Sequence, residues 1–155
     1  MLKIYFLLFT VVALHCAGQE KRCSMLLFTN SSDAKSRQGT PIKRIRQSGK
    51  ADSIIIQTMD KNEKWLTAES VWGFQDKFCT MYRYLQKEFL KIADIKNSVT
   101  IYSRFNKGYK GRLVTSYYFS KGFDAPIYLA SKKNIHEQFG DDPAISAWIE
   151  RHYEE

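Results

Sequence analysis

Between Ser53 and Leu129 the chain breaks into short β-prone runs separated by polar turns, and this punctuation restricts the available folds more than any other feature. The runs are Ser53 to Thr58, Val71 to Phe74, Met81 to Leu85, Phe89 to Ile92, Val99 to Arg104 and Leu113 to Phe119, each of ordinary strand length. Turn-forming residues fill the breaks: Asp60-Lys61-Asn62-Glu63, Gln75-Asp76-Lys77, Lys96-Asn97 and the glycine-bearing stretch from Asn106 to Gly111. Connections this short join neighbouring antiparallel strands, whereas a parallel pair needs a crossover of roughly a dozen residues. No strand–helix–strand alternation occurs, so a parallel sheet is not expected.

The period changes after Ala130. Ser131 can cap a helix running to Phe139, with Ile135 and Phe139 one turn apart and Gly140 placed to end it. Asp142 and Pro143 then open a second helix, in which Ile145, Trp148, Ile149 and His152 fall on one face. The expected fold is therefore α+β: an antiparallel meander of about six strands, of half-barrel curvature, with two C-terminal helices packed on one face. No internal repeat is visible, and one core suffices for a chain of this size.

The N-terminal end has a different logic. Lys3 precedes an uncharged apolar run from Ile4 to Leu14, followed by small residues at Ala17 and Gly18. That is the pattern of a secretory signal peptide over 1–18, and the run falls short of the roughly 20 apolar residues of a membrane span. The expected product is exported, periplasmic or secreted, without a transmembrane segment. Lipid anchoring through Cys16 is the alternative, although His15 stands where a lipid-attachment box wants a small residue. Residues 19–50 are rich in Ser, Lys, Arg, Gln and Asn and read as a basic, flexible arm, leaving 51–155 as a single β-rich domain. Asn30-Ser31-Ser32 matches a glycosylation sequon.

The formal net charge is +8, which favours attraction to anionic surfaces without naming a partner. Lys35, Arg37, Lys43, Arg44, Arg46 and Lys50 fall between Asp33 and Asp52 with no acid among them. They are the candidate polyanion-binding residues, through counterion release from a phosphate or sulfate array. A solvated linker would look the same, and the stacking aromatics of a single-strand nucleic-acid binder are missing from the segment. With Cys16 in the signal, Cys23 and Cys79 are the only pair available for a disulfide, and either could equally stay a free thiol.

Aromatic residues concentrate in the strands. Strand alternation places Trp72 and Phe74 on one face of their run, and Tyr82 and Tyr84 on one face of theirs. A symmetric hairpin around Gln75 to Thr80 would set Trp72 opposite Arg83 and Val71 opposite Tyr84. Trp72, Phe74, Tyr82, Arg83 and Tyr84 are thus a candidate platform for sugar rings or peptide side chains, though aromatics also serve as sheet formers and core fillers. Gly73 between two aromatics suggests a bulge or a close backbone approach. In Ser116 to Ser120 the successive rings must face opposite ways, so each side of the sheet there needs a cover.

Catalytic patterns are missing. His136 and His152 belong to no metal-binding spacing, and no cofactor or metal is expected. A Cys79 nucleophile has no support from spacing. The order Val71-Trp72-Gly73-Phe74-Gln75-Asp76-Lys77, Tyr82-Arg83, Tyr117-Tyr118-Phe119-Ser120-Lys121 and Pro126-Ile127-Tyr128-Leu129 resembles a group of small exported bacterial β-rich proteins with no assigned activity. The resemblance spans about residues 52 to 150 and implies an envelope or secreted setting and a β-then-helix architecture. The functional expectation is a non-enzymatic exported module that binds a protein or glycan. The alternatives are a binder of anionic surfaces through Lys35 to Lys50, and a hydrolase whose site the sequence does not reveal.

Overall fold

A computed structural model describes residues 22–49, 53–107 and 111–153; the expected signal peptide over 1–18 with Cys16, and Lys50 and the Glu154-Glu155 end, lie outside the described residues. Ten strands form one antiparallel sheet rather than the six or so expected. They are β1 (Leu26–Phe28), β2 (Thr40–Gln47), β3 (Ser53–Thr58), β4 (Glu63–Thr67), β5 (Gly73–Gln75), β6 (Met81–Leu85), β7 (Glu88–Lys96), β8 (Val99–Lys107), β9 (Leu113–Ser120) and β10 (Tyr128–Leu129). Their spatial order is β10-β9-β8-β7-β6-β5-β1-β2-β3-β4, two meanders joined where β1 pairs with β5. Among the described residues no helix is long and apolar enough to cross a membrane.

The segment read as a flexible arm holds the middle of this sheet. Leu26, Leu27 and Phe28 are apolar in succession because β1 is covered on both faces, Leu27 in one apolar cluster and Phe28 in another. Helix α1 (Ser31–Ser36) follows, capped by Asn30, whose Oδ1 accepts from the Asp33 backbone N–H while its Nδ2 donates to the Asp33 carboxylate at 2.9 Å. The sequon amide is thus engaged in the cap. β2 then disguises its period: a bulge between Ile42 and Arg44 puts Ile42 and Ile45 on the same face at a spacing of three.

The register runs Leu27, Phe74, Tyr82, Lys91, Ser103 and Tyr117 in one cross-strand row, which defines the inner face. Ile54 and Ile56 of β3 share a cluster with Leu27 and Val71, against which Tyr84 and Phe89 of β6 and β7 pack. Gln47 of β2 also bonds to the Lys87 carbonyl in the β6–β7 turn, three strands away in the order, so the sheet curls toward this face. At the far end, Val99, Ile101 and Phe119 are buried under α2 (Lys132–Phe139) and α3 (Pro143–Tyr153), through Ile135, Ile145, Trp148 and Ile149. The expected caps are present: Ser131 accepts from Asn134 N–H, and Asp142 from Ile145 N–H at 3.0 Å.

A Cys23–Cys79 disulfide, with Cα atoms 5.1 Å apart, ties the entry into β1 to the β5–β6 turn. It closes a loop of 56 residues, for which chain-entropy reasoning gives a stabilisation of about 4 kcal/mol. The turn itself is built on Asp76, whose Oδ1 accepts from the backbone N–H of Phe78 and Thr80 at 2.8 and 2.9 Å.

Candidate functional site

The five residues expected to form one aromatic platform are divided between the two faces. Gly73, not Trp72, pairs with Arg83, and Phe74 pairs with Tyr82, so the expected register is out by one. Trp72 donates its N–H to the Phe28 carbonyl on one side and accepts from Tyr84 N–H on the other. A regular antiparallel residue directs both groups to the same neighbour, so the alternation ends there and the Trp72 ring turns away from Phe74. The close approach suspected at Gly73 is real, since a Cβ there would collide with the Tyr82 carbonyl oxygen.

On the outer face, Trp72 stacks on Phe123 at 5.3 Å, meets Phe28 edge-on and donates Nε1–H to the Phe123 carbonyl. Arg83 lies 5.7 Å from the Trp72 ring and donates to Tyr102 Oη and the Ala125 carbonyl at 3.2 and 3.1 Å. Ser120 donates onward to the Gly122 carbonyl, so Tyr102 is the donor to Ser120. This chain of bonds, with Ser31 donating to Asp124, fastens α1 and the loop 121–127 over the face. Trp72 and Arg83 are held in packing and are not a free platform. The second aromatic patch divides as alternation requires: Tyr117 and Phe119 join the helix-covered cluster, and Tyr118 pairs with Tyr102 on the outer side.

On the inner face, Phe74 stacks on Tyr82 at 4.6 Å and meets Phe89 edge-on at 4.9 Å, while Tyr84 packs against Phe89 at 5.0 Å. Burial, and then the nearby Asp76 carboxylate that accepts from its hydroxyl, push the Tyr82 phenol above its ordinary 10.0.

Between the aliphatic cluster of β2 and β3 and the helix pair, the inner face stays open as a groove of about 460 Å³. Tyr82, Phe89, Lys91, Ser103, Phe105 and Lys107 line it, and Gln47 bounds it by bonding to the Lys87 carbonyl. Phe105 is 65 % exposed and Leu113, its diagonal neighbour across β9, 74 %. Ser103 forms the floor: the residue is 6 % exposed, and its hydroxyl, which is not sealed from the groove, has no hydrogen-bond partner among the described residues. Lys91 and Lys107 form no ion pair there either, and Glu88, the acid at the rim, is bridged to Arg104. Of these residues only Tyr82 was singled out by sequence.

The basic cluster does not form an arm. Lys35 lies in α1 with its ammonium 5.8 Å from the Phe123 ring, and Arg37 ends that helix in a left-handed conformation. Lys43, Arg44 and Arg46 belong to β2, and Arg46 is paired with Glu63 at 3.2 Å. Lys50 lies outside the described residues. Cys79 is bonded to Cys23 and offers no thiol. His152 directs Nε2 to Asp94 at 3.4 Å and Nδ1 to the Trp148 carbonyl at 3.1 Å, so both nitrogens face acceptors. No cluster able to hold a metal occurs among the described residues. No family model matches the chain, and no curated protein or solved structure is significantly similar to it.

Proposed function

We propose that this chain is an exported, non-enzymatic binding module that takes its ligand in the inner-face groove. One observation carries the reading: the groove is where the curled sheet leaves aromatic rings open together with two ammonium groups and a serine hydroxyl that have no ion-pair or hydrogen-bond partner among the described residues. The groove has the size of a small-ligand site, and its lining mixes aromatic rings with a majority of polar and charged side chains. The Cys23–Cys79 bond supports an oxidising setting, in keeping with the signal-like N-terminus. The surrounding chemistry favours binding over turnover, because no histidine lines the groove, Glu88 is bridged to Arg104 and Cys79 is tied up.

The test is amide chemical-shift mapping of the disulfide-bonded protein against three probes: a neutral oligosaccharide, an acidic peptide and an alkyl carboxylate. Shifts gathered on Tyr82, Phe89, Lys91, Ser103 and Phe105 with at least one probe are expected. Responses confined to Lys35, Arg37 and Arg44, or to the outer face, would assign binding elsewhere.

A further inference from the structure

We infer that the groove takes an anionic amphiphile, a free molecule with a carboxylate, phosphate or sulfate head on an apolar body. The inference rests on the groove being the binding site and concerns what fits it. Its two ends differ in chemistry. Lys91 sits between Tyr82 and Ser103 in the cross-strand row, so Lys91 and Ser103 occupy adjacent positions on one face and both line the groove. Among the described residues neither has a hydrogen-bond or ion-pair partner, and although Ser103 as a residue is only 6 % exposed, its hydroxyl is not sealed from the groove. The Ser103 hydroxyl is reachable from the groove, and an anion above it can accept its hydrogen bond while neutralising the nearby ammonium, a charge-assisted contact. Lys107, in the same face of β8, supplies a second cation, and the one rim acid is neutralised by Arg104. A cationic ligand therefore meets repulsion and a neutral one leaves two charges unused.

Phe89 and Phe105 give the other half of the requirement. Phe105 presents a largely exposed ring, and beside it Leu113 continues the apolar surface along the β8–β9 hairpin. A bare inorganic anion would leave this surface in water, whereas an acyl or aryl body covers it, with the gain set by the apolar area removed. Lys stems can lie along the same body while their heads stay polar.

Calorimetric titration with dodecanoate below its micellar concentration tests the assignment, with dodecan-1-ol, acetate and dodecyltrimethylammonium alongside. Dodecanoate is expected to bind, and the other three much more weakly. Lys91→Met with Lys107→Met should weaken it by about tenfold or more, and Ser103→Ala by several-fold, as for lost charge-assisted bonds. Phe105→Ala, at an exposed position that does not threaten folding, should weaken it comparably. Dodecanoate binding no tighter than the alcohol, or binding the lysine variant as it binds the wild type, overturns the inference. So does association with phosphatidylglycerol vesicles without binding of the monomer, which would make the hairpin a membrane-surface contact. If an oligosaccharide or peptide moves the groove amides and dodecanoate does not, this inference fails and the groove remains the binding site. If no probe moves them, both fail.

Discussion

Across strands β6 to β8, the outer face closes on itself while the inner face is left ajar. Outside, Arg83, Tyr102 and Ser120 pass hydrogen bonds in sequence to the Gly122 carbonyl, and Trp72 is held between Phe28 and Phe123. Inside, one strand-width away, Lys91, Ser103 and Lys107 make no such bonds among the described residues and Phe105 stands out of the sheet. The same aromatic and basic residue types occur on both sides. What separates structure from site is whether their polar ends are satisfied, and this is invisible in composition.

The contrast can be broken by substitution. Trp72→Ala should have the largest effect, a loss of about 3 kcal/mol from removing a ring packed on two others, read as a lower midpoint in denaturant unfolding with ligand binding retained. Arg83→Met keeps the side-chain volume but strips the Tyr102 oxygen and Ala125 carbonyl of their donor. A cost of about 2 kcal/mol is expected, measured the same way.

The pH dependence sharpens the comparison on the inner side. Because the Tyr82 phenol is raised in the folded protein, its contribution is fully present below the unfolded value near pH 10 and is lost as pH rises through the folded value. Thermal midpoints of wild type and Tyr82→Phe should therefore diverge above about pH 10, the wild type falling faster. Parallel curves would mean that Tyr82 is not held as described. Phe105→Ser should have the smallest effect on folding, within about 0.5 kcal/mol, as expected of an exposed position.

Parts of this arrangement were legible in the chain. Ser131, Asp142 and Pro143 announce both C-terminal helices, and Ile145, Trp148 and Ile149 announce the face they bury, because capping and the helical period act over a few residues. The antiparallel pairing follows from short turns in the same local way. Three strands, two of them in the supposed arm, were hidden for physical reasons. β1 is three residues long and apolar on both sides, β2 has its period broken at Ile42 and Arg44, and β4 is an exposed edge carrying Glu63 and Lys64. The register error at Trp72 arises from the backbone irregularity beside Gly73, which the sequence marks only by a glycine. The groove was the least legible feature. Gln47, Phe89, Lys91, Ser103 and Phe105 are unremarkable one at a time, and only sheet register and curl bring them together.

The most direct test of the central claim compares two variants side by side, Phe105→Ser and Arg83→Met, each measured for thermal stability and for dodecanoate binding. The account predicts that Phe105→Ser melts with the wild type and binds poorly, while Arg83→Met melts early and binds normally below its transition. If Arg83→Met loses the ligand at full folding, or Phe105→Ser keeps it, the site lies on the outer face or elsewhere and the assignment of the groove is wrong.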